Sequence, residues 1–402
     1  MVENKSLKMI IVSDYLFYKD RDGNYWSEVP WDKEFTDLFS PNAFVYLVGK
    51  VKNVDTPNRI HHLVDSNYYE VLPLSNWTGL RQWLKLIPEV TRAVKKHYHQ
   101  VDVVILKLFY LNSVLVWFCS RFWKSGKQPV LASLLVGDSE EAFLLRDDVV
   151  SSSWLRSGSA KLVKQVISLM QYDVDVAGFV AEFLHRKFAP KRKNVVISNE
   201  SWLKEWMFMN RSRSPQDRPT KILFVGRLID RKRIYSLTET VIDLIKSGRN
   251  IHLTIVGDGV LMPAIKELIA THQLQSHFTL TGWLRPLSPE LIDCYREHDI
   301  FCLPSYAEGL PLVILEAMAN GVATIATDVS GIPEIIRHEE TGLLIPRDDK
   351  IALNQAICRY LDEPELWRKC IDNGYEVAKQ NSFVAARSKF AKAVMKAIEH
   401  QH

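Results

Sequence analysis

Two carboxylates, Glu308 and Glu316, lie close together in the stretch SYAEGLPLVILEAMANG (305–321). The run IFCLPS just before them reads as a buried strand, which makes SYAEGLP the loop at its carboxyl end. Pro311 suits the first position of the following helix, where a missing N–H costs nothing, and Gly321 suits its stop. The first amides of that helix, on Leu312 and Val313, lack intrahelical acceptors. With the helix dipole behind them they form an anion site. Glu308 in the loop is placed to accept hydrogen bonds from hydroxyls of a polar ligand. Glu316, about one and a half turns into the helix, is placed to take a vicinal diol through both oxygens. An anion with hydroxyl-rich groups on either side is the chemistry of a nucleoside diphosphate sugar. Either glutamate alone reads as a solvated surface residue; their pairing at a strand end is what points to a ligand.

Such a site needs a parallel sheet behind it. KILFVG (221–226), IHLTIVG (251–257), FTLTG (278–282), IFCLPS (300–305), VATIAT (322–327) and TGLLIP (341–346) alternate with helical patterns near 234–247, 260–272 and 288–297. Short buried strands separated by helices mean an α/β, Rossmann-like domain with helices on both faces of the sheet. The first half repeats the theme less regularly, with strands expected at 9–15, 42–49, 68–74, 101–108 and 128–137. VDVAGFVAEFL (174–184) reads as an apolar helical run, and NRSRSPQDRPTK (210–221), polar and proline-bearing, as a linker. The expected organisation is an N-terminal domain over 1–199, a linker over 200–220, a second domain over 221–380 and a C-terminal helix over 381–402 that packs back on the N-terminal domain. Two Rossmann-like domains facing each other across a cleft put ligands at the carboxyl ends of both sheets.

The second half resembles the retaining GT-B glycosyltransferases of family 4. Glu308-Gly-Leu-Pro-Leu-Val-Ile-Leu-Glu316 is similar to their E-x7-E motif. FVGRLIDRK resembles their GRL…K segment, TIVGDG their glycine turn, LTGWL their base-contacting loop, and ATDVSGIPEII…TGLLIP their closing signature. The resemblance spans roughly Lys221 to Asp349; the first half matches in outline. It implies transfer of a sugar from a nucleotide diphosphate donor to an acceptor hydroxyl, with retention of configuration and with neither metal nor cofactor. It also implies roles. Glu308 contacts the transferred sugar and Glu316 the ribose, while Arg227 and Lys232 hold the diphosphate. Gly309, Leu310, Leu312 and Val313 lie along the donor, as do Gly226 and Gly257 at the strand-end turns. Trp283 and Leu284 are positional candidates for base contact, and Trp283 serves equally as a packing residue. Two fixed cations at the departing β-phosphate stabilise a transition state more than a ground state.

Several positions depart from the family pattern. Pro311 stands where glycine is frequent, and Arg233 follows Lys232 where glycine is common. A histidine of the N-terminal domain is replaced in LLVGDSEEAF by Asp138, which reads either as a partner of a sugar hydroxyl or as the cap of a helix starting at Ser139. In the loop expected after MIIVSDY, Gly23 is the one candidate for close approach to phosphate or acceptor, with Asp14, Tyr25 and Trp26 around it.

Composition bounds the rest. The chain has 402 residues, 51 Lys and Arg against 47 Asp and Glu, and a net charge of +4. That is a weak basic balance for nucleic acid binding. No apolar run reaches the length of a membrane span, and the N-terminus is too short in apolar residues for a secretory signal. A cytoplasmic protein is expected. Five scattered cysteines without a CxxC pair indicate reduced thiols. DVD (173–175) lacks the strand-loop context of a metal site, and GDGVLM lacks the third glycine of a dinucleotide fingerprint. His61 and His62 read as surface residues. LNSVLVWFCSRFWKSGK (111–127) mixes Trp117 and Trp123 with Arg121, Lys124 and Lys127. It reads either as a core helix with a basic end or as a contact with the inner face of the cytoplasmic membrane. Expected partners are therefore a nucleotide-sugar donor and a glycan, lipid-linked glycan or small-molecule acceptor, in cell-surface polysaccharide or glycolipid assembly. The rival readings are a non-catalytic nucleotide-sugar scaffold and a sugar-nucleotide epimerase on the same architecture.

Overall fold

The computed structural model describes residues 6–29, 31–56, 62–76, 80–108, 110–138, 140, 153–209 and 220–401. The chain divides into two compact units, Met1–Asn199 with Arg387–His402, and Glu200–Ala386. Most of the expected linker, 210–219, and the first of the two histidines, His61, lie outside the described residues.

The first unit is built on β1 (Lys8–Lys19), β2 (Tyr25–Ser27), β3 (Phe44–Asn53), β4 (His62–Leu63), β5 (Tyr69–Ser75), β6 (Val103–Leu108), β7 (Val130–Leu135), β8 (Val176–Phe179) and β9 (Val195–Ile197). Its parallel core runs β5–β3–β1–β6–β7–β8–β9, with β2 antiparallel to β1 and β4 antiparallel to β2. The central strands are apolar along their whole length because both sheet faces are covered: every residue of β6 is buried.

Two expectations fail here for identifiable reasons. β1 does not end near Tyr15. Its register against β3 shifts between Val12 and Leu16, and the strand then continues to Lys19 beside β2. Ser13–Tyr15 is thus a bulge, and Gly23, with φ +87°, sits in the exposed turn of a hairpin where its N–H donates to Asp20 O. The supposed helical run at 174–184 is β8 followed by a helix at Glu182–Phe188. A four-residue strand buried on both faces has no alternation to separate it from a helix. Asp173 and Asp175 flank its start in structural roles. Asp173 pairs with Arg121 at 2.6 Å and accepts from Trp117 Nε1 at 2.8 Å, while Asp175 accepts from the Leu131 amide at 2.8 Å.

The second unit contains β10 (Thr220–Val225), β11 (Ile251–Val256), β12 (Phe278–Gly282), β13 (Ile300–Leu303), β14 (Ala323–Thr327) and β15 (Leu343–Ile345). They pair in the order β12–β11–β10–β13–β14–β15, all parallel. The chain runs outward from β10 to β12 and then returns to β13 beside β10. Strand order therefore reverses between β10 and β13, the switch point where such sheets bind ligands. Residues 200–209, expected to belong to a linker, pack on this unit: Leu203 and Met207 are in its core, and Met209 N–H donates to Ala319 O. The last helix, Phe383–Gln401, contributes Phe390 against Gly178 and Arg387 over the Phe35 ring to the first unit.

The strand ends of the second unit are stitched together. Gly226 N–H donates to Val256 O at 3.0 Å, Gly257 N–H to Gly282 O at 2.8 Å, and Leu228 N–H to Asp258 O at 2.9 Å. Gly257 has φ +139°, and a Cβ there would lie 1.9 Å from Gly226 O. Gly257→Ala must open this seam. It is expected to lower stability by at least about 3 kcal/mol in urea unfolding; an effect within about 0.5 kcal/mol would show that the seam yields freely.

Candidate active site

Lys232 and Glu308 come from the two loops that flank the switch point. After β10 the chain forms a 3₁₀ turn, Asp230–Lys232, and after β13 it forms the loop to Glu308. Lys232 Nζ donates to Glu308 Oε1 at 2.5 Å, and the two side chains are only 12% and 8% exposed. A pair this dry is held by its mutual charge, and removing one partner strands the other. The Glu308 loop is fixed on its far side by the loop after β14. Gly331 N–H donates to Gly309 O at 3.1 Å, and Glu308 N–H faces Ser330 Oγ at 3.5 Å.

The helix behind that loop is Leu312–Ala319. Pro311 is not its first residue. With φ −76° and ψ 104° it is the extended N-cap, because ψ has yet to turn helical, so the free amides begin at Leu312. Asn320 and Gly321 close the helix, the latter with φ +64°. Glu316 is half-buried, and its Oε2 accepts from Tyr295 Oη at 2.8 Å. Desolvation pushes its carboxyl above the ordinary value, against the opposing pull of the Tyr295 hydroxyl. One of the two oxygens expected for a diol is thus already engaged, and a diol would share it with Tyr295. The sequence contained Tyr295 but no signal that a helix 21 positions earlier would supply a partner.

Arg227, in the turn after β10, is exposed and forms no ion pair with the described residues. Gly226 and Gly257 lie in the stitched seam. At the end of β12 the side chains of the base-loop candidates diverge: Trp283 is 43% exposed, whereas Leu284 packs on the core of the unit.

Arg233 explains its own departure from glycine. It occupies the left-handed region, φ 52° and ψ 27°, where glycine is preferred and other residues pay about 1 kcal/mol or more. Its guanidinium holds Asp230 and Asp348, each at 2.6 Å, and lies 5.1 Å from the Tyr306 ring, whose other neighbour is Arg347 at 4.3 Å. Tyr306 N–H donates to Arg231 O at 2.8 Å. Arg233 and Tyr306 therefore tie the Lys232 loop to the Glu308 loop. The one trace of this arrangement in the sequence was a large residue at a position that favours glycine.

In the first unit, Asp138 does not stand alone. Lys187 Nζ donates to Asp138 Oδ2 at 2.6 Å and pairs with Glu140 at 3.1 Å. Burial alone would lower the Lys187 ammonium, but the two carboxylates outweigh it and raise it. Ser139, the start of the helix that Asp138 would cap, is outside the described residues. A second polar cluster, of which the sequence pointed only to Asp14, gathers at the β1 bulge. Asn112 Nδ2 donates to Asp14 Oδ1 at 2.6 Å, and Lys107 Nζ donates to Tyr15 Oη. Desolvation raises the Asp14 carboxyl to about 6, against the pull of Lys50.

Two Rossmann-like parallel-sheet units in one chain are the GT-B architecture. Sucrose-phosphate synthase from Thermosynechococcus elongatus superimposes with a TM-score of 0.71 over 98% of both chains at 19% identity. Anabaena HepE in complex with UDP does so with a TM-score of 0.67, over 97% of this chain and 100% of its own, at 15% identity. Residues 219–363, in the second unit, match the family model of Glycosyl transferases group 1. The chain is 32% identical over 158 residues to an alpha-D-kanosaminyltransferase of Streptomyces kanamyceticus, covering 39% of this chain and 40% of that protein. It is 32% identical over 156 residues to the putative colanic acid biosynthesis glycosyltransferase WcaL of Escherichia coli K12, covering 37% and 38%. The chain thus spans about two fifths of the length of these curated relatives.

Two outcomes follow from these geometries. Arg233→Gly relieves the left-handed backbone while giving up the clamp, whereas Arg233→Ala gives up the clamp and keeps the strain. In urea unfolding the glycine variant is expected to be more stable than the alanine variant by about 1 kcal/mol. Equal stabilities would remove the strain from the account. For Asp14, folding favours the protonated form, so its ionisation costs stability as pH rises from the unfolded value, 3.8, through about 6. Asp14→Asn is expected to match wild type near pH 4 and to exceed it by about 2–3 kcal/mol near pH 8. A gap independent of pH would contradict the buried carboxyl.

Proposed function

We propose that the protein is a retaining, metal-independent glycosyltransferase that moves a sugar from a nucleoside diphosphate donor to an acceptor hydroxyl in cell-surface polysaccharide or glycolipid assembly. The observation that carries this reading is the convergence of Lys232, Glu308 and the helix start at Leu312 on the switch point of the second sheet. The group 1 match over the same residues supports it, as does the polysaccharide-building role in the name of the WcaL relative. The complexes of Anabaena HepE with UDP and with UDP-glucose support a uridine diphosphate donor class.

In this reading the donor diphosphate lies against the Leu312 and Val313 amides, with Arg227 and Lys232 as its cations. Lys232 and Glu308 already neutralise each other, so a phosphate that draws the ammonium toward itself releases Glu308 to accept hydrogen bonds from the sugar. Cleavage of the anomeric C–O bond leaves its electron pair, and hence a growing negative charge, on the β-phosphate. Arg227, Lys232 and the two amides answer that charge. Glu316 anchors the ribose as a carboxylate, so affinity for the nucleotide rises with pH through its raised pKa. Gly309 and Leu310 line the same loop, and Trp283 offers an exposed ring to the base. A glycan or lipid-linked acceptor fits peripheral work at the inner face of the cytoplasmic membrane.

Lys232→Ala would strand Glu308 and confuse binding with stability, so Glu316→Gln is the better probe. Glutamine keeps an acceptor for Tyr295 and removes the charge. In thermal-shift titrations with a panel of nucleoside diphosphates and their sugars, one base is expected to stabilise the wild type, and Glu316→Gln to weaken that ligand about tenfold or more. No stabilisation by any of them would contradict the donor site. Binding without donor hydrolysis or transfer would indicate a scaffold, and conversion of the donor sugar without release of diphosphate an epimerase.

A further inference from the structure

Helix Leu111–Ser120 and helix Ser153–Asp173 meet in the first unit through Arg121. Its guanidinium pairs with Asp173 at 2.6 Å and lies 4.0 Å from the Trp117 ring, whose Nε1 donates to the same carboxylate. The tryptophans expected at an interface, Trp117 and Trp123, are both buried. The aromatic residues that face out are Phe118 and Phe122, 54% and 71% exposed, with ring centroids 5.3 Å apart. On the neighbouring helix Leu169 and Tyr172, close to Asp173, are exposed, as is Leu162 farther along it. Tyr172 Oη accepts from the Lys191 amide at 3.0 Å, which sets the basic turn at 190–193 along the edge of this patch.

The charge around the patch is positive on balance. Segments 117–127, 153–175 and 186–193 contain eleven Lys and Arg and two acids, Asp173, which pairs with Arg121, and Asp175, which lies near Arg192. Lys124, Lys161, Lys191 and Lys193 are exposed and form no ion pair with the described residues. A second copy docked on the same face would set lysines against lysines. Aromatic and aliphatic side chains flanked by unpaired lysines instead match the boundary between acyl chains and anionic headgroups, where lysines reach the phosphates while their stems cover apolar surface. No described helix is long and apolar enough to cross a membrane, so the contact is peripheral.

We propose that the face formed by Phe118, Phe122, Leu169 and Tyr172, rimmed by Lys124, Lys161, Lys191 and Lys193, docks the protein on an anionic lipid bilayer. This deepens the reading of a membrane-side acceptor and relies on it only for biological sense, because docking is measured without donor or acceptor.

The test is cosedimentation of the full chain with sucrose-loaded vesicles, either of phosphatidylcholine alone or of phosphatidylcholine with phosphatidylglycerol. Wild type is expected to pellet with the anionic vesicles and to stay in solution with the neutral ones, and added salt should weaken the binding. Phe118→Ser/Phe122→Ser and Lys191→Glu/Lys193→Glu are each expected to lower the partition coefficient about tenfold or more. Both should keep the thermal shift with nucleoside diphosphate, which separates failure of docking from failure of the donor site. Wild type that ignores anionic vesicles, or variants that bind as well as wild type, would overturn the proposal. So would a dimer in sedimentation velocity that Phe118→Ser/Phe122→Ser abolishes, since the face would then belong to self-association.

Discussion

The seam at the carboxyl end of the second sheet is the constraint on which the site depends. Gly226, Gly257 and Gly282 bring the ends of β10, β11 and β12 into register through backbone hydrogen bonds, and no side chain fits at Gly257. That register fixes where the β10 turn begins and so where Lys232 ends up. The neighbouring strand β13 delivers Glu308 to the same place because strand order reverses between them. The amides of Leu312 and Val313 follow from one more loop. Three features of ligand chemistry, a cation, a carboxylate and a helix start, thus arise from one topological fact.

The Lys232–Glu308 pair has a second consequence. Two charges this well buried stabilise each other only while both are present, so a ligand that competes for one must compensate the other. A diphosphate sugar brings both replacements in one molecule: oxygens for the ammonium and hydroxyls for the carboxylate. A nucleoside alone offers no phosphate oxygens to the ammonium, and a free sugar none either. In the proposed function the pair therefore favours the complete donor. Arg233 and Tyr306 join the two loops that carry the pair.

Much of the second unit was legible because its signals are local and mutually consistent. Strands expected at 251–257, 278–282 and 322–327 are found at Ile251–Val256, Phe278–Gly282 and Ala323–Thr327, bounded by turns that the sequence marks clearly. The first unit was less legible where burial on both faces erased periodicity, as in β8, and where a strand continued through a bulge, as in β1. Side-chain partnerships were the least accessible. Tyr295 with Glu316, Lys187 with Asp138, and Asn112 with Asp14 all join residues far apart in sequence. The two exposed phenylalanines, Phe118 and Phe122, were hidden in a segment whose tryptophans attracted notice, since composition cannot tell which side of a short helix faces out.

The central claim is that one diphosphate replaces Glu308 as the partner of Lys232. A crystal structure of the protein with an intact uridine diphosphate sugar bound tests it most directly. The account predicts the β-phosphate against the Leu312 and Val313 amides, Lys232 Nζ moved onto its oxygens, Glu308 released, and the ribose on Glu316. A nucleotide bound elsewhere, or bound there with the Lys232–Glu308 pair intact, would contradict it.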